Sequence, residues 1–289
     1  MPELTIIVPA YNEETSIADV VRGTRQAFEG IDVEVLVVDD ASTDQTVERA
    51  TAVGARVIRH RYNKGNGAAV KSGLRHANAD LGAVIDADGQ HRPQDLRKLF
   101  DQLADTDMVV GTRVKPTYSI TRRLGNAVLN RVASYLSGHR VRDLTSGLRV
   151  FRVSTVMQYM GLYPNGFSFP STSTLALLTD GYSVSFVTIE ADSRAEGGES
   201  SIRPIRDGVK FLAIIVRIVH LFHPLKLYLP LGGLLLLGGV AWSIRTIVVA
   251  YQFSAGAILL LLAGLIVTLM GFQIDQVAAL RRQMGRDGR

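Results

Sequence analysis

A chain of 289 residues, 47% of them hydrophobic, with a formal net charge of +5 is long enough to bury a core as one large domain or as a domain with an appendage. It contains no cysteine, which excludes disulfides, thiolate metal sites and a cysteine nucleophile. Charge is unevenly spread: from Leu225 to Leu280 the only charged residues are Lys226, Arg245 and Asp275, so a polar amino-terminal part leads into an apolar tail.

The opening "MPELTIIVPAYNEE" has a short apolar run followed by acids. It lacks the basic start and long apolar stretch of a signal peptide, which predicts a cytoplasmic amino-terminal part. Buried strands are predicted at "LTIIVPA" (4–10), "VEVLVVDD" (33–40), "ARVIRH" (55–60), "LGAVIDAD" (81–88) and "DMVVGTR" (107–113). Between them, helical spacing is read at "SIADVVRGTRQAF" with Ser16 as cap, "STDQTVERATAVG" with Gly54 as stop, "GNGAAVKSGLRHAN" and "PQDLRKLFDQLA". Asp40 or Ser42 is a further capping candidate. Strand and helix alternate through short links, which predicts an α/β domain with a mostly parallel sheet. Ligands of such sheets bind outside the carboxyl ends of the strands, and "PAYNEE", "DDASTD", "DADGQH" and "GTR" each follow an apolar strand. Polar clusters are therefore expected to converge on one rim.

Between Arg113 and Arg152 nine lysines and arginines (Arg113, Lys115, Arg122, Arg123, Arg131, Arg140, Arg142, Arg149, Arg152) face a single acid, Asp143. This is either a solvated basic face or a site for an anionic partner, and its place beside the rim favours the partner. The tail argues against nucleic acid and for a bilayer. "LKLYLPLGGLLLLGGVAWSI" and "SAGAILLLLAGLIVTLMGFQI" each supply the roughly 20 apolar residues that span a hydrocarbon core. Flanking lysines and arginines put both ends in the cytoplasm. Before the first span, Arg206, Lys210, Arg217 and His220 lie near one face of an apolar helical stretch, which suits a helix in the membrane interface. The expected division is 1–204 catalytic, 205–223 amphipathic juxtamembrane helix, 225–276 two transmembrane helices and 277–289 basic cytoplasmic tail. Small residues in "LGGLLLLGG" offer close helix packing and an expected homo-oligomer through the spans.

Asp86 and Asp88, expected on the same side of an extended chain with Gln90 one step further, are the hard oxygen donors that Mg²⁺ or Mn²⁺ takes, with waters and substrate phosphates completing the shell. A bare DxD is a common surface turn, and its neighbours add the weight. Asp39 and Asp40 end another apolar strand, where a carboxylate suits a nucleobase N–H or ribose hydroxyls, Tyr11 and Glu13 suit flanking a base, and Arg113 suits a diphosphate. The six histidines show no ligand spacing, and His91 is read as a structural neighbour of the metal loop. "GNGAAVKSG" does not open the first strand-to-helix turn, which argues against a dinucleotide fingerprint.

In this order and spacing, "IIVPAYNEE", "VVDDASTDQT", "NKGNGAAVKSG", "DADGQH", "GTR" and "DLTSGLRVFR" resemble the family 2 glycosyltransferases of the GT-A fold, nearest to the polyprenyl-phosphate sugar synthases. The resemblance covers roughly residues 4 to 210, and the two-span tail resembles the bacterial and archaeal branch. It implies inverting transfer of a hexose from a GDP- or UDP-sugar to a polyprenyl phosphate at the cytoplasmic membrane face. By the same resemblance Pro9, Tyr11, Glu13, Asp39, Asp86, Ala87 and Asp88 hold the nucleotide sugar, with Arg194 and Ser200 of a segment like "R..G.S" near its diphosphate. Asp86, Asp88 and Gln90 hold Mg²⁺ or Mn²⁺, and Arg113 lies near the phosphates or the acceptor. Arg122 and Arg123 receive the lipid phosphate, while Asp143 of "DxxSG" either positions the sugar or serves structure. The family carries an acid on the helix after "GFSF", where this chain has Pro170 and Thr172; if that acid touches the hexose, the sugar read here differs. A processive polysaccharide synthase would carry "QxxRW", and the sole tryptophan, Trp242, lies within a span. A non-catalytic sugar-nucleotide binder is the remaining alternative, disfavoured by the intact Asp86, Asp88 and Arg113.

Overall fold

The computed structural model describes residues 1–113, 127, 130–131, 133–135, 137–166, 168–189, 224–252 and 254–287. Arg122, Arg123, Arg194, Ser200 and the expected interfacial segment 205–223 lie outside the described residues. The chain divides into two compact units, an α/β unit and a carboxyl-terminal helical hairpin.

The α/β unit begins with β1 (Leu4–Ala10), α1 (Ile17–Ala27), β2 (Val33–Asp39), α2 (Thr46–Ala52), β3 (Arg56–Arg59), α3 (Asn66–Arg75), β4 (Leu81–Val84), α4 (Pro93–Asp101) and β5 (Met108–Arg113). It continues through β6 (Arg149–Arg152), the short α5 (Val153–Met157), α6 (Phe169–Thr179) and β7 (Val184–Ile189). One seven-stranded sheet results, in the order β3-β2-β1-β4-β6-β5-β7. Every pairing is parallel except those of β6, which runs antiparallel to both β4 and β5. The alternating pattern is thus borne out as a mostly parallel sheet, with β6 and β7 added beyond it.

Every residue of β1 is buried, as a strand covered on both faces requires. On α1 the buried residues Ile17, Val20, Val21 and Thr24 recur at helical spacing, and the three apolar ones join Leu4, Ile6, Val8, Val35, Val37 and Leu96 in one core. Pro9 sits within β1 because pairing with β4 stops at the Ile7–Val84 pair, so no ladder is needed on that side.

Local readings needed correction in several places. β4 ends at Val84 rather than running to Asp88, and the chain then turns, with Gly89 at φ 70°; Asp86 and Asp88 therefore occupy a turn and not one face of a strand. Ser16 stands at the start of α1 but makes no cap bond, because its hydroxyl donates to the Glu13 carboxylate at 2.8 Å. Neither Asp40 nor Ser42 caps α2, whose N-cap position is Gln45 with no side-chain cap bond; Asp44, one residue earlier, accepts from the Thr46 backbone N–H at 3.0 Å. Gly54 is the expected stop, at φ 85°.

The glycine-rich start of α3 receives protein, not phosphate. Gly67 N donates to Gly166 O and Ala68 N to Asn165 O, both at 2.8 Å, and Lys71 Nζ donates to Tyr163 O at 3.0 Å. The helix amides left open by the α-helical pattern are thus taken by the 163–166 turn. A Cβ at Gly67 would stand 2.2 Å from Pro164 O.

The hairpin comprises α7 (Leu225–Ala250) and α8 (Ala255–Asp287). Leu225–Val249 and Ala255–Leu280, 25 and 26 residues, are long and apolar enough to cross a membrane. Leu234, Leu237 and Leu259 point outward, 66–72% exposed. α8 continues to Asp287, so the segment read as a tail from 277 starts as helix. The helices meet along glycines: a Cβ at Gly232 would meet Thr268, at Gly239 Leu261, at Gly264 Leu236 and at Gly271 Tyr228, all within 3 Å. Gly233 and Gly238 face open space and, five residues apart, point about 140° away from each other. The small residues expected to pack a second copy are in part used within the hairpin, and those left over form no stripe.

Gly67→Ala is expected to lower the stability of the α/β unit by about 1–3 kcal/mol, the scale of overpacking against unyielding backbone; denaturant unfolding of the two proteins checks it.

Candidate active site

β1, β2, β4 and β5 run in one direction, so their carboxyl ends share one edge of the sheet. The polar clusters that follow these strands are brought together there, as the rule for open α/β sheets predicts. β6 runs the opposite way, so its amino end and the residues leading into it, 143–148, reach the same edge.

The loops after β1 and β2 are stitched together. Asn12 N donates to Ser42 Oγ at 2.9 Å, Thr43 N to Asn12 Oδ1 at 2.9 Å, Glu13 N to Thr46 Oγ1 at 2.8 Å and Glu14 N to Asp44 Oδ2 at 3.1 Å. Asn12 has φ 54°, a left-handed conformation that asparagine tolerates. This arrangement leaves Tyr11 47% exposed at the rim, with Pro9 buried behind it in β1.

Asp39 and Asp40 have different duties. Asp39 is buried at the end of β2, accepts from Ser42 N at 3.2 and 3.3 Å and is ion-paired with Arg59 Nε at 3.2 Å. Asp40 is committed to structure: it accepts from Lys64 N at 2.9 Å and Gly65 N at 2.6 Å, and from His60 Nδ1 at 2.7 Å. His60 Nε2 in turn lies 2.8 Å from Ser72 Oγ. The order Ser72–His60–Asp40 has the outline of a nucleophilic triad, but Ser72 lies inside α3 and the two backbone N–H groups at hand already serve Asp40. It ties the 60–65 loop, with exposed Tyr62 and Lys64, to the end of β2.

In the turn beyond β4, Ala87 and His91 are buried, Asp88 is exposed and Asp86 and Gln90 are partly exposed. Asp88 Oδ1 accepts from Gln90 N at 3.1 Å, and His91 Nε2 stands 3.7 Å from Asp86 Oδ2, so His91 is the structural neighbour expected. Burial raises the Glu13 carboxyl above its ordinary 4.5, the Asp88, Asp44 and Asp86 carboxylates add to the rise, and the Ser16 hydroxyl opposes it. Among the described residues no group of three His, Asp or Glu side chains closes around a metal. An open set of two carboxylates and an amide suits a cation that keeps waters and substrate phosphates as ligands.

Arg149 had been counted with the basic face, yet it is fully buried. Its Nη1 donates to Pro170 O at 2.9 Å and Ser173 Oγ at 2.7 Å, its Nη2 donates to Ser146 O, and it lies 5.6 Å from the Phe169 ring. Burial pushes the guanidinium down from 12.5 to about 10, against the Asp143 and Asp86 carboxylates, which favour the charged form. It stays protonated at neutral pH. Asp143 Oδ1 accepts from Thr145 N at 2.9 Å and from its hydroxyl at 3.0 Å, a turn-forming duty. Arg113 is the last residue of β5. Ser146 Oγ is buried without a hydrogen-bond partner among the described residues; it and Arg149 fall inside the "DLTSGLRVFR" motif, which assigned neither of them a role.

Residues 5–159 match the family described as glycosyl transferase family 2, and residues 223–280 match the GtrB C-terminal hairpin. The chain belongs to glycosyl transferase family 2. Glycosyltransferase AglJ of Haloferax volcanii is 30% identical over 96% of this chain and 94% of that protein. The UDP-N-acetylglucosamine–dolichyl-phosphate N-acetylglucosaminyltransferase of Methanococcus voltae is 32% identical over 52% of this chain and 70% of its own. In fold, the chain is similar to glucosyl-3-phosphoglycerate synthase of Mycobacterium tuberculosis, solved with Mn²⁺, UDP and phosphoglyceric acid, at TM-score 0.61 and 19% identity over 75% of this chain and 78% of that one. The α/β unit thus has the GT-A type of fold, and this family 2 member is a glycosyltransferase related to the polyprenyl-phosphate sugar transferases.

A carboxyl whose folded pKa is raised contributes stability that is present below its unfolded pKa and is lost as pH rises through the folded value. Glu13→Gln should therefore raise the unfolding midpoint of metal-free protein at pH 7. The gain should fade as pH falls through the raised folded value and be gone below 4.5, the carboxyl's ordinary value; thermal unfolding in EDTA across pH measures it.

Proposed function

We propose that this protein transfers a hexose from a nucleotide-diphospho-sugar to a polyprenyl phosphate at the cytoplasmic face of a membrane, with inversion at the anomeric carbon and with a divalent cation. The observation that carries the reading is the meeting, on one sheet edge, of Tyr11, Glu13, Asp39, Asp86 and Asp88 in a chain that also holds two bilayer-length apolar helices. The relative from Methanococcus voltae is named for a UDP-sugar donor and a dolichyl-phosphate acceptor, and UDP occupies the solved mycobacterial neighbour. Both favour a uridine donor.

In this reading Tyr11 offers an aromatic face to the base, with Pro9 behind it and Glu13 beside it. Asp39 accepts from the base or ribose; its bonds to Ser42 N at 3.2 and 3.3 Å are long and leave acceptor capacity. Asp86, Asp88 and Gln90 are hard oxygen donors in a negative field, which fits Mg²⁺ or Mn²⁺, and Ala87 keeps the turn between them compact. When bound, such a cation stabilises charge on the departing diphosphate. Arg113, Arg194 and Ser200 add donors to that diphosphate, while Arg122 and Arg123 receive the acceptor phosphate.

A lipid monophosphate, with a second pKa near 6, is largely dianionic at neutral pH, so the nucleophile needs no general base. The protein's task is to bring two anions into line and to meet developing charge with fixed partners. The apolar hairpin holds the enzyme in the bilayer where a polyprenyl chain resides.

Purified protein incubated with Mn²⁺ or Mg²⁺, a short polyprenyl phosphate and a panel of UDP- and GDP-sugars should yield a glycolipid heavier by one hexose unit on mass spectrometry. Release of free sugar without glycolipid would overturn the acceptor assignment. Asp88→Ala should lower glycolipid formation by at least about 100-fold, the scale at which losing one transition-state charge partner is felt; unchanged glycolipid formation would sink the catalytic reading.

A further inference from the structure

Asp86 rests on a glycine. The antiparallel register that pairs Val84 with Arg149, carried on past the last strand pair, puts Gly147 opposite Asp86. A Cβ built on Gly147 would lie 2.3 Å from Asp86 Oδ2, 3.0 Å from its Cγ and 3.2 Å from its Oδ1. Gly147 is absent from the positive-φ residues, so its backbone is open to any residue, and what a side chain would lack there is space. On another side the carboxylate has the buried His91, with Nε2 3.7 Å from Oδ2.

The segment carrying Gly147 is itself clamped. Arg149 donates from Nη2 to Ser146 O, on one side of the glycine. From Nη1 it donates to Pro170 O and Ser173 Oγ at the start of α6. Ser171 Oγ adds a bond to Leu144 O at 3.1 Å. A planar, forked donor can hold one carbonyl of its own segment and two acceptors of a helix at once, which a lysine ammonium on a flexible stem does not reproduce. No carboxylate of the described residues lies within ion-pair distance of this buried guanidinium, so it works here as a clamp rather than as half of a salt bridge.

We infer that Gly147, held in place by the Arg149 clamp, is a positioning residue that sets the Asp86 carboxylate where the divalent cation is bound; this rests on the metal reading of Asp86 above. Groups behind a metal ligand commonly change metal affinity by about 10–100-fold when altered, and the effect expected for Gly147 falls in that range. The residue touches neither substrate nor reacting atoms, so its action is read on metal binding and on stability.

The test uses the full chain in detergent, with Mn²⁺ binding in the presence of UDP followed by electron paramagnetic resonance and thermal unfolding measured in parallel. Gly147→Ala should weaken Mn²⁺ binding about tenfold or more and lower the unfolding temperature. In an Asp86→Ala background the same change should lower the unfolding temperature far less, because the clashing atoms are gone. Arg149→Lys, which keeps the charge and loses the fork, should also weaken Mn²⁺ binding. The inference is overturned if Gly147→Ala binds Mn²⁺ as the parent does while Asp86→Ala does not, if the penalty of Gly147→Ala is equal in both backgrounds, or if Arg149→Lys restores full affinity. Should Gly147→Ala alone fail to fold, recovery of folding in the Asp86→Ala, Gly147→Ala double variant supports the clash, and failure there too overturns it. Asp86→Ala with undiminished Mn²⁺ binding would instead bring down the metal reading itself.

Discussion

Carboxylates crowded on one edge of a sheet repel one another, and much of the surrounding structure serves to keep them there. Burial is the main penalty on the charge of Glu13, and Asp88, Asp44 and Asp86 add to it. That cost is met by backbone: the amides of residues 12–14 donate into the β2 loop, which donates back through Thr43. Directional bonds between loops keep acids close that would otherwise spread apart in water. In the function proposed above, such a set of acids would take a cation and its bound diphosphate, and the chain belongs to glycosyl transferase family 2.

The second constraint is the direction of β6. A wholly parallel sheet would deliver only strand ends to this edge; one antiparallel strand between β4 and β5 delivers a strand beginning as well. It brings the 143–148 segment to this edge, with Arg149 paired to Val84 and Gly147 against Asp86. Arg149 is the clearest consequence. An arginine with no pairing acid would be costly to bury, but here Pro170 O and Ser173 Oγ at the start of α6 take Nη1 and Ser146 O takes Nη2, leaving Nε without a partner among the described residues, while Asp143 and Asp86 favour the charge. The hydroxyl-rich "PSTST" segment is the one that receives its Nη1.

The hairpin follows a different economy. In hydrocarbon there is no hydrophobic drive between helices, and close contact depends on small residues. Gly232 and Gly239 on α7, with Gly264 and Gly271 on α8, allow the backbones to approach, while leucines cover the outside. The match of residues 223–280 to the GtrB C-terminal hairpin agrees with this self-contained pairing.

Much was legible from the chain alone. Strands buried on both faces read as continuous apolar runs, so β1, β2 and β5 were placed within a residue of their observed ends. The alternation with helices implied parallel strands and hence one functional edge carrying Tyr11, Asp39, Asp86 and Arg113. Two long, sparsely charged apolar stretches read as membrane spans, and two helices long and apolar enough to cross a membrane are found there. What local pattern does not carry is where the chain stops pairing and what it meets after turning. β4 ends early because Ile7 is its last β1 partner; Asp40 is structural because the 60–65 loop folds back onto it; the glycines of α3 admit the 163–166 turn, not a phosphate. Sequence determined which residues are acids, which runs are apolar and therefore which edge is chemical. Only tertiary structure decided that Gly147 lies under Asp86 and that Arg149 belongs to the core, because register between distant strands depends on pairings that no nearby residue encodes.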